Sequence, residues 1–316
     1  MAKNTSDPVG TLSIGNVITT STTLYKSNFK RYLQVSLRAT AWIFAMGAAW
    51  LGLFAIGAAL YAATKSWLVA IPVVLGGLVV TLYFAAKYAT DRAIISRLAY
   101  QELINAPETI ADATRYLLPR TWGFLRLSLL LGFYISLVGI VGYVALIVMI
   151  GIFVTVLVYV FKLSPDNLVV SFSIGLLAIG LFLLWMAAIL RYYAYWFVAE
   201  LPLAVESTTS ANFSIRRSRQ LTANAVGNVL LIMTIAFLIV APASTIGSVP
   251  SFAGQMMTSP IITTDAATQV MGGILILVGT LVTIAVELFI MPFWQIIKAI
   301  VYYDLRNRHE GNDLVI

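Results

Sequence analysis

The chain contains no cysteine, and its single histidine, His309, lies close to the C-terminus. Without cysteine, a disulfide, a thiolate zinc site and a cysteine nucleophile are all impossible. A Ser–His catalytic pair within the apolar segments is excluded for want of a second histidine. A Ser–Lys pair or an all-carboxylate site stays open, but no pattern in the sequence points to either. We therefore expect no catalytic residue, no metal site and no cofactor.

Charged residues are scarce as well. They make up 10% of the 316 residues, whereas soluble domains average about a quarter. Hydrophobic residues make up 60%, and the mean hydropathy is +0.92. Several uncharged apolar runs reach the roughly 18 to 20 residues that a helix needs to cross a hydrocarbon core. The sequence therefore predicts an all-α protein, a polytopic membrane helix bundle.

Six apolar segments are predicted to cross the membrane, at about 39–63, 67–88, 122–161, 168–199, 225–241 and 271–297. The third segment is uncharged from Leu127 to Phe161, which as a straight helix would span about 52 Å. Two crossings that turn near Gly139 or Gly142 are the alternative. That topology would expose the three arginines of 216–219 on the outer side, so we favour one long helix.

Basic residues are distributed unevenly around these six crossings. Of the 20 lysines and arginines, all but Lys65 and Lys162 fall on one side of the membrane. Because basic residues accumulate in cytoplasmic loops, this distribution predicts that both termini are cytoplasmic.

The predicted organisation has three parts. Residues 1–38 form an N-terminal tail with an amphipathic interfacial helix, residues 39–300 form the six-helix transmembrane domain, and residues 301–316 form a cytoplasmic tail. Within the transmembrane domain, basic amphipathic segments at about 91–118 and 212–221 are predicted to lie in the cytoplasmic interface. Residues 242–269 are polar and nearly uncharged, and they are predicted to connect the last two crossings on the outer side.

Charges inside the apolar segments are the best candidates for function. Glu287 lies eleven residues before Lys298, about 16 Å along a helix, and ionisable residues at such depth usually face a partner inside the bundle. If the fourth segment is one unbroken helix, Arg191 lies at a similar depth, which predicts a Glu287–Arg191 pair. Glu287 is alternatively a proton or substrate site. Pro292 leaves the carbonyl of Leu288 without its helical hydrogen bond.

A second set of charges is predicted at the cytoplasmic interface. It comprises Glu206, Arg216, Arg217, Arg219, Asp304 and Arg306. We hypothesise that its three arginines between 216 and 219 contact either anionic headgroups or the two carboxylates Glu206 and Asp304. Because the positive charge lies next to the membrane, its expected partners are lipids or another membrane protein, and not nucleic acid.

The C-terminal stretch Val-Tyr-Tyr-Asp-Leu-Arg-Asn-Arg-His-Glu-Gly-Asn-Asp-Leu, residues 301–314, resembles the signature of the membrane domain associated with glycerophosphoryl diester phosphodiesterases. The stretches 14–33 and 201–221 are similar to the opening amphipathic helix and the central proline–glutamate–arginine segment of that domain. The resemblance implies a bacterial six-helix membrane domain that is sometimes fused to a catalytic phosphodiesterase domain. The six crossings leave no room for that catalytic domain, so the resemblance does not imply phosphodiesterase activity.

Together these features favour a non-enzymatic protein of a bacterial inner or internal membrane. The expected function is a lipid- or protein-binding scaffold or assembly factor. The alternative is a transporter or lipid translocator that uses Glu287.

The predicted orientation can be tested with single cysteines, because the chain has none of its own. In intact cells, an impermeant thiol reagent should label Lys65→Cys, which is predicted to lie outside. It should label Ser210→Cys only after the membrane is opened. Labelling of Ser210→Cys from outside would contradict the six-crossing topology.

Overall fold

The computed structural model describes residues 14–162, 164, 167–206, 210–259 and 265–311. Within these residues the chain forms ten α-helices and no strand. They are α1 (Ile14–Ser27), α2 (Phe29–Thr64), α3 (Ala70–Leu103), α4 (Ile110–Leu117), α5 (Thr121–Thr155), α6 (Leu168–Tyr195), α7 (Glu200–Val205), α8 (Ala211–Thr222), α9 (Val226–Thr258) and α10 (Ala266–Gly311).

Six of these helices, α2, α3, α5, α6, α9 and α10, are long and apolar enough to cross a membrane. The predicted all-α bundle with six crossing helices is therefore confirmed. The long third segment forms the single helix α5, which continues as a π-helical turn over Val156–Val160. The alternative in which this segment turns and crosses twice is wrong, since no break interrupts it near Gly139 or Gly142.

Two of the predicted interfacial segments form separate short helices. Helix α4 lies within the predicted segment 91–118, and α8 covers 212–221 with one further residue at each end. Each begins with a side-chain cap: Thr109 accepts from the backbone N–H of Asp112, and Ser210 accepts from that of Phe213. Residues 91–103, by contrast, are no separate element, because α3 continues through them to Leu103.

Other boundaries also differ from the prediction, and the first is the start of α2, which lies at Phe29 and not at about residue 39. Helix α9 continues to Thr258 through Pro242 and Pro250, where the sequence predicted an outer connection. Packing outweighs the two prolines here, because Gly254 of α9 lies directly against the backbone of Gly272 of α10. Helix α10 likewise continues to residue 311, so the predicted tail from residue 301 is largely helical. Residues 260–264 and 312–316 lie outside the described residues.

The buried core lies at one end of the bundle. Its members come from α1, α4 and α8, from the start of α2, α5 and α9, from the last part of α3 and α10, and from residues 194–204. Buried or half-buried basic residues, among them Arg92, Arg97 and Lys298, lie in the same region. We call this the basic end. The crossing helices therefore form three hairpins, α2–α3, α5–α6 and α9–α10, whose tips lie at the opposite, far end.

Away from the basic end, each hairpin is stabilised by contacts between its own two helices. The ring of Trp50 in α2 lies on Gly77 of α3, and its indole nitrogen donates to Thr81 at 3.1 Å. The ring of Trp185 in α6 lies in the same way on Gly142 of α5. A Cβ atom at either glycine would overlap the indole ring, so these two glycines allow the helices to approach.

The carbonyl of Leu288 receives a hydrogen bond from a different helix. The nitrogen of Pro292 cannot donate to it, and the hydroxyl of Ser36 in α2 donates instead at 2.7 Å. The next carbonyl, that of Phe289, accepts from the hydroxyl of Tyr25 in α1 at 3.1 Å. The carbonyl that Pro292 leaves without a helical donor thus connects α2 to α10, and the bond from Tyr25 adds a contact with α1.

We expect Ser36→Ala to lower the free energy of unfolding by about 1 to 3 kcal/mol, because it leaves the Leu288 carbonyl without a donor. In a Pro292→Ala background the new backbone N–H can bond to that carbonyl, so the same change should cost clearly less. Thermal unfolding of the purified protein in detergent measures both effects.

The matched control is Ser173→Ala, because the Ser173 hydroxyl donates to Val169 of its own helix and its loss leaves no buried carbonyl unpaired. An equal cost of Ser36→Ala in both backgrounds would contradict the assigned role of Ser36.

Candidate functional site

A buried ion pair joins α7 to α10 at the basic end. The ammonium group of Lys298 donates to a carboxylate oxygen of Glu200 at 3.2 Å, and the hydroxyl of Ser96 in α3 donates to the same oxygen at 3.0 Å. Lys298 is 8% exposed and Ser96 is fully buried. Three helices from distant parts of the chain therefore meet at one carboxylate.

Gln295 extends this arrangement to Arg92. Its side chain satisfies its neighbours when the amide nitrogen faces Ser96 and Glu200 and the amide oxygen faces Arg92. In that orientation the oxygen accepts from two guanidinium nitrogens of Arg92 at 2.8 and 3.0 Å, and the nitrogen donates to the Ser96 hydroxyl at 2.8 Å and to Glu200. We call Arg92, Ser96, Glu200, Gln295 and Lys298 the Glu200 network.

The Glu200 network carries more positive than negative charge. Arg92 and Lys298 are cations, whereas Glu200 is its one carboxylate. Aromatic rings lie beside both cations: the Arg92 guanidinium is 5.8 Å from the ring centre of Tyr88, and the Lys298 ammonium is 6.0 Å from that of Phe197. Such rings favour cations only modestly. The five residues of the Glu200 network by themselves carry one net positive charge.

Two cavities open beside the network. The larger, about 630 Å³, lies between α3, α6, α9 and α10, and we call it the groove. Its apolar wall is formed by Ile189, Leu190, Phe197, Leu230, Met233, Phe237, Met291 and Trp294. The smaller, about 210 Å³, lies between α3, α5 and α6. Arg92 and Lys298 line both cavities.

Glu287 lies in the groove, farther from the basic end. Glu287, Met291, Trp294 and Lys298 recur at helical spacing on α10, so they share the face that lines the groove. Glu287 lies about 16 Å along the helix from Lys298. Its side chain is exposed where the groove opens to the surface. This part of α10 belongs to a helix that is long and apolar enough to cross a membrane.

The predicted Glu287–Arg191 pair is wrong. Arg191 is exposed and donates to the hydroxyl of Tyr195 at 3.3 and 3.4 Å, one turn away on the same helix. The physical reason is that α6 ends at Tyr195, so Arg191 lies near the helix end and not at the depth of an unbroken helix. Arg92 and Lys298, and not Arg191, are the cations that line the groove together with Glu287.

The predicted interfacial charges are distributed over several separate contacts. Arg217 and Arg306 both pair with Glu310, Asp304 pairs with Arg308, and the Tyr302 hydroxyl donates to Glu206 at 2.8 Å. Arg216 and Arg219 lie about 6 Å from the rings of Phe213 and Tyr195. Among the described residues, none of the arginines at 216, 217 and 219 forms an ion pair with Glu206 or Asp304.

Sequence reasoning missed most of the Glu200 network. Glu200 lies close to Pro202, and Lys298 follows the last apolar segment. Nothing in the sequence indicates that these two side chains are in contact. Gln295 gave no signal because an uncharged amide does not stand out in an apolar segment. Arg92 falls in the segment 91–118 that the sequence predicts to be interfacial, whereas in the structure it lies within the long helix α3. The available signal was the three-residue spacing of Gln295 and Lys298, which places both on one face of a helix.

Searches against protein-family models, curated proteins and solved structures gave no match to this chain. The resemblance of residues 301–314 to a phosphodiesterase-associated membrane domain therefore stays a prediction. Among the described residues, no group of three or more His, Asp or Glu side chains could hold a metal ion, so none is assigned as a ligand set.

The Glu200–Lys298 pair should behave as a coupled unit. Glu200→Gln and Lys298→Met each leave a buried charge without its partner, so each should cost about 3 to 5 kcal/mol of unfolding free energy. The double variant should cost clearly less than the sum, as measured by thermal or denaturant unfolding in detergent.

Glu310→Gln is the control, because its partly exposed pairs with Arg217 and Arg306 should contribute about 1 kcal/mol or less. Additivity of Glu200→Gln and Lys298→Met to within about 0.5 kcal/mol would show that the two side chains are not coupled.

Proposed function

We propose that this chain is a non-enzymatic membrane protein that binds a phospholipid in the groove and acts as a scaffold or assembly factor. The observation that carries the proposal is the position of Arg92 and Lys298 at one end of a long apolar wall. A phosphate is complementary to the two cations, and acyl chains are complementary to the wall. The volume of about 630 Å³ lies within the range of ligand-binding cavities.

The charge of the Glu200 network supports a phosphate ligand. Glu200 accepts from Lys298, Ser96 and Gln295, so it already serves the protein's own donors. Arg92 is bonded to the neutral Gln295 amide, and its charge is left for an anion. Arginine suits phosphate because its planar guanidinium can donate two parallel hydrogen bonds.

The proposed location is a bacterial inner or internal membrane, with the basic end and both termini cytoplasmic. The uneven distribution of basic residues supports this orientation. Exposed arginines such as Arg216 and Arg219 then lie beside the anionic cytoplasmic leaflet, where each basic residue contributes about 1 kcal/mol of attraction. Membrane lipids, and a partner membrane protein that the scaffold would hold, are the proposed partners.

A lipid translocator is the second candidate, and Glu287 is the observation that favours it. The groove carries charge at two depths, at Lys298 and at Glu287, as a path for a polar headgroup would. If lipid moves along it, Glu287→Gln should slow exchange between leaflets in reconstituted vesicles. A static scaffold predicts no exchange in either form.

Filling the groove should weaken lipid binding without altering its charges. Met233 lines the groove, and Met233→Trp would displace about two methylene groups of an acyl chain, which corresponds to roughly tenfold in affinity. Titration with dioleoyl phospholipids followed by native mass spectrometry measures the change.

Met149→Trp is the matched control, since Met149 is exposed on α5 and lies outside the groove. Equal phospholipid binding by the wild type and Met233→Trp would place the lipid elsewhere on the protein.

A further inference from the structure

The surroundings of Glu287 differ from those of Glu200, the other carboxylate near the groove. Glu200 is held by three donors, whereas among the described residues no side chain forms a hydrogen bond or an ion pair with Glu287. The groove is lined by apolar side chains such as Phe237 and Met291 and by the hydroxyls of Tyr88, Tyr193 and Thr234, and among the described residues none of these hydroxyls donates to Glu287. A carboxylate at membrane depth is costly unless a partner compensates it.

Arg92 does not supply that partner. Among the described residues no ion pair joins Arg92 and Glu287, and the Arg92 guanidinium donates to Gln295. The groove therefore presents a cation and a carboxylate that face a shared space and are not bonded to each other. A ligand with one anionic and one cationic group can lie between them.

The sum of the charges in and beside the groove also favours a ligand that carries both a positive and a negative group. Arg92 and Lys298 contribute two positive charges, and Glu200 and Glu287 contribute two negative charges, so the site is neutral overall. A lipid with a net negative charge would bring an extra charge close to Glu287. A zwitterionic headgroup adds no net charge and offers each unmatched group an opposite one.

We propose that the groove selects a zwitterionic aminophospholipid, whose phosphate lies against Arg92 and whose ammonium lies against Glu287. This inference rests on the proposed function, because it names the lipid class that the same groove would hold. Charge-assisted hydrogen bonds at both ends of the headgroup would fix its orientation as well as its affinity. Glu287 is then a specificity-determining residue.

The test compares two lipids with identical dioleoyl chains, phosphatidylethanolamine and phosphatidylglycerol, on the full-length protein in detergent. Native mass spectrometry gives the ratio of their dissociation constants. We expect the wild type to prefer phosphatidylethanolamine by about tenfold, since one charge-assisted hydrogen bond separates the two headgroups.

Glu287→Gln should remove this preference or reverse it, because the amide neither attracts an ammonium nor repels a negative charge. Arg92→Gln should weaken both lipids, since both carry the phosphate. Glu102→Gln is the control, because Glu102 pairs with Arg31 at 2.6 Å and does not line the groove. It should leave the ratio unchanged.

The outcomes separate the two proposals. Equal or tighter binding of phosphatidylglycerol by the wild type would overturn the headgroup assignment and leave phospholipid binding standing. An unchanged ratio in folded Glu287→Gln protein would also overturn it. Binding of neither lipid by folded wild-type protein would overturn the proposed function itself. The ratio of the two dissociation constants of the wild type tests the headgroup assignment even if Glu287→Gln fails to fold.

Discussion

The buried carboxylate of Glu200 is the constraint on which the basic end depends. A carboxylate removed from water needs donors on several sides, and here they come from Ser96, Gln295 and Lys298. Helix α7 begins at Glu200, just after α6 ends, so the same bonds fix the direction in which the chain leaves the α5–α6 hairpin. They also bring α3 and α10 together. The cations beside the groove lie where they do because this carboxylate holds α10 in place.

The groove combines two kinds of surface that a membrane protein normally keeps apart. Its wall is apolar, and its end carries the cations Arg92 and Lys298. A phospholipid has the same division along its own length. This correspondence is what supports the proposal that the groove binds a phospholipid. The small cavity on the other side of α6 touches the same two cations, so the polar end is accessible from two directions.

Apolar segment length and the positions of basic residues were sufficient to predict the all-α class and the six crossings. Local rules also predicted the unpaired carbonyl of Leu288, because only the proline ring is needed to remove its donor. They failed where tertiary packing decides. Pro242 and Pro250 lie inside a helix that packs closely on its neighbour. Arg191 lies near a helix end because α6 stops earlier than its apolar composition suggests. The partners of Glu200 come from helices about a hundred residues away in either direction, and sequence spacing carries no information about such contacts.

The three hairpins are joined at the basic end, while each holds itself together farther out through contacts such as Trp50 on Gly77 and Trp185 on Gly142. Each hairpin is therefore fixed at the basic end and free at its tip. Bilayers differ in thickness by a few ångströms, and helices adjust to them mainly by tilting. A hairpin that tilts moves most at its free tip and least at the end that is fixed. The lipid-matching movements of this protein are therefore largest at the far end, and Glu200 and its partners keep their geometry in thin and thick membranes alike.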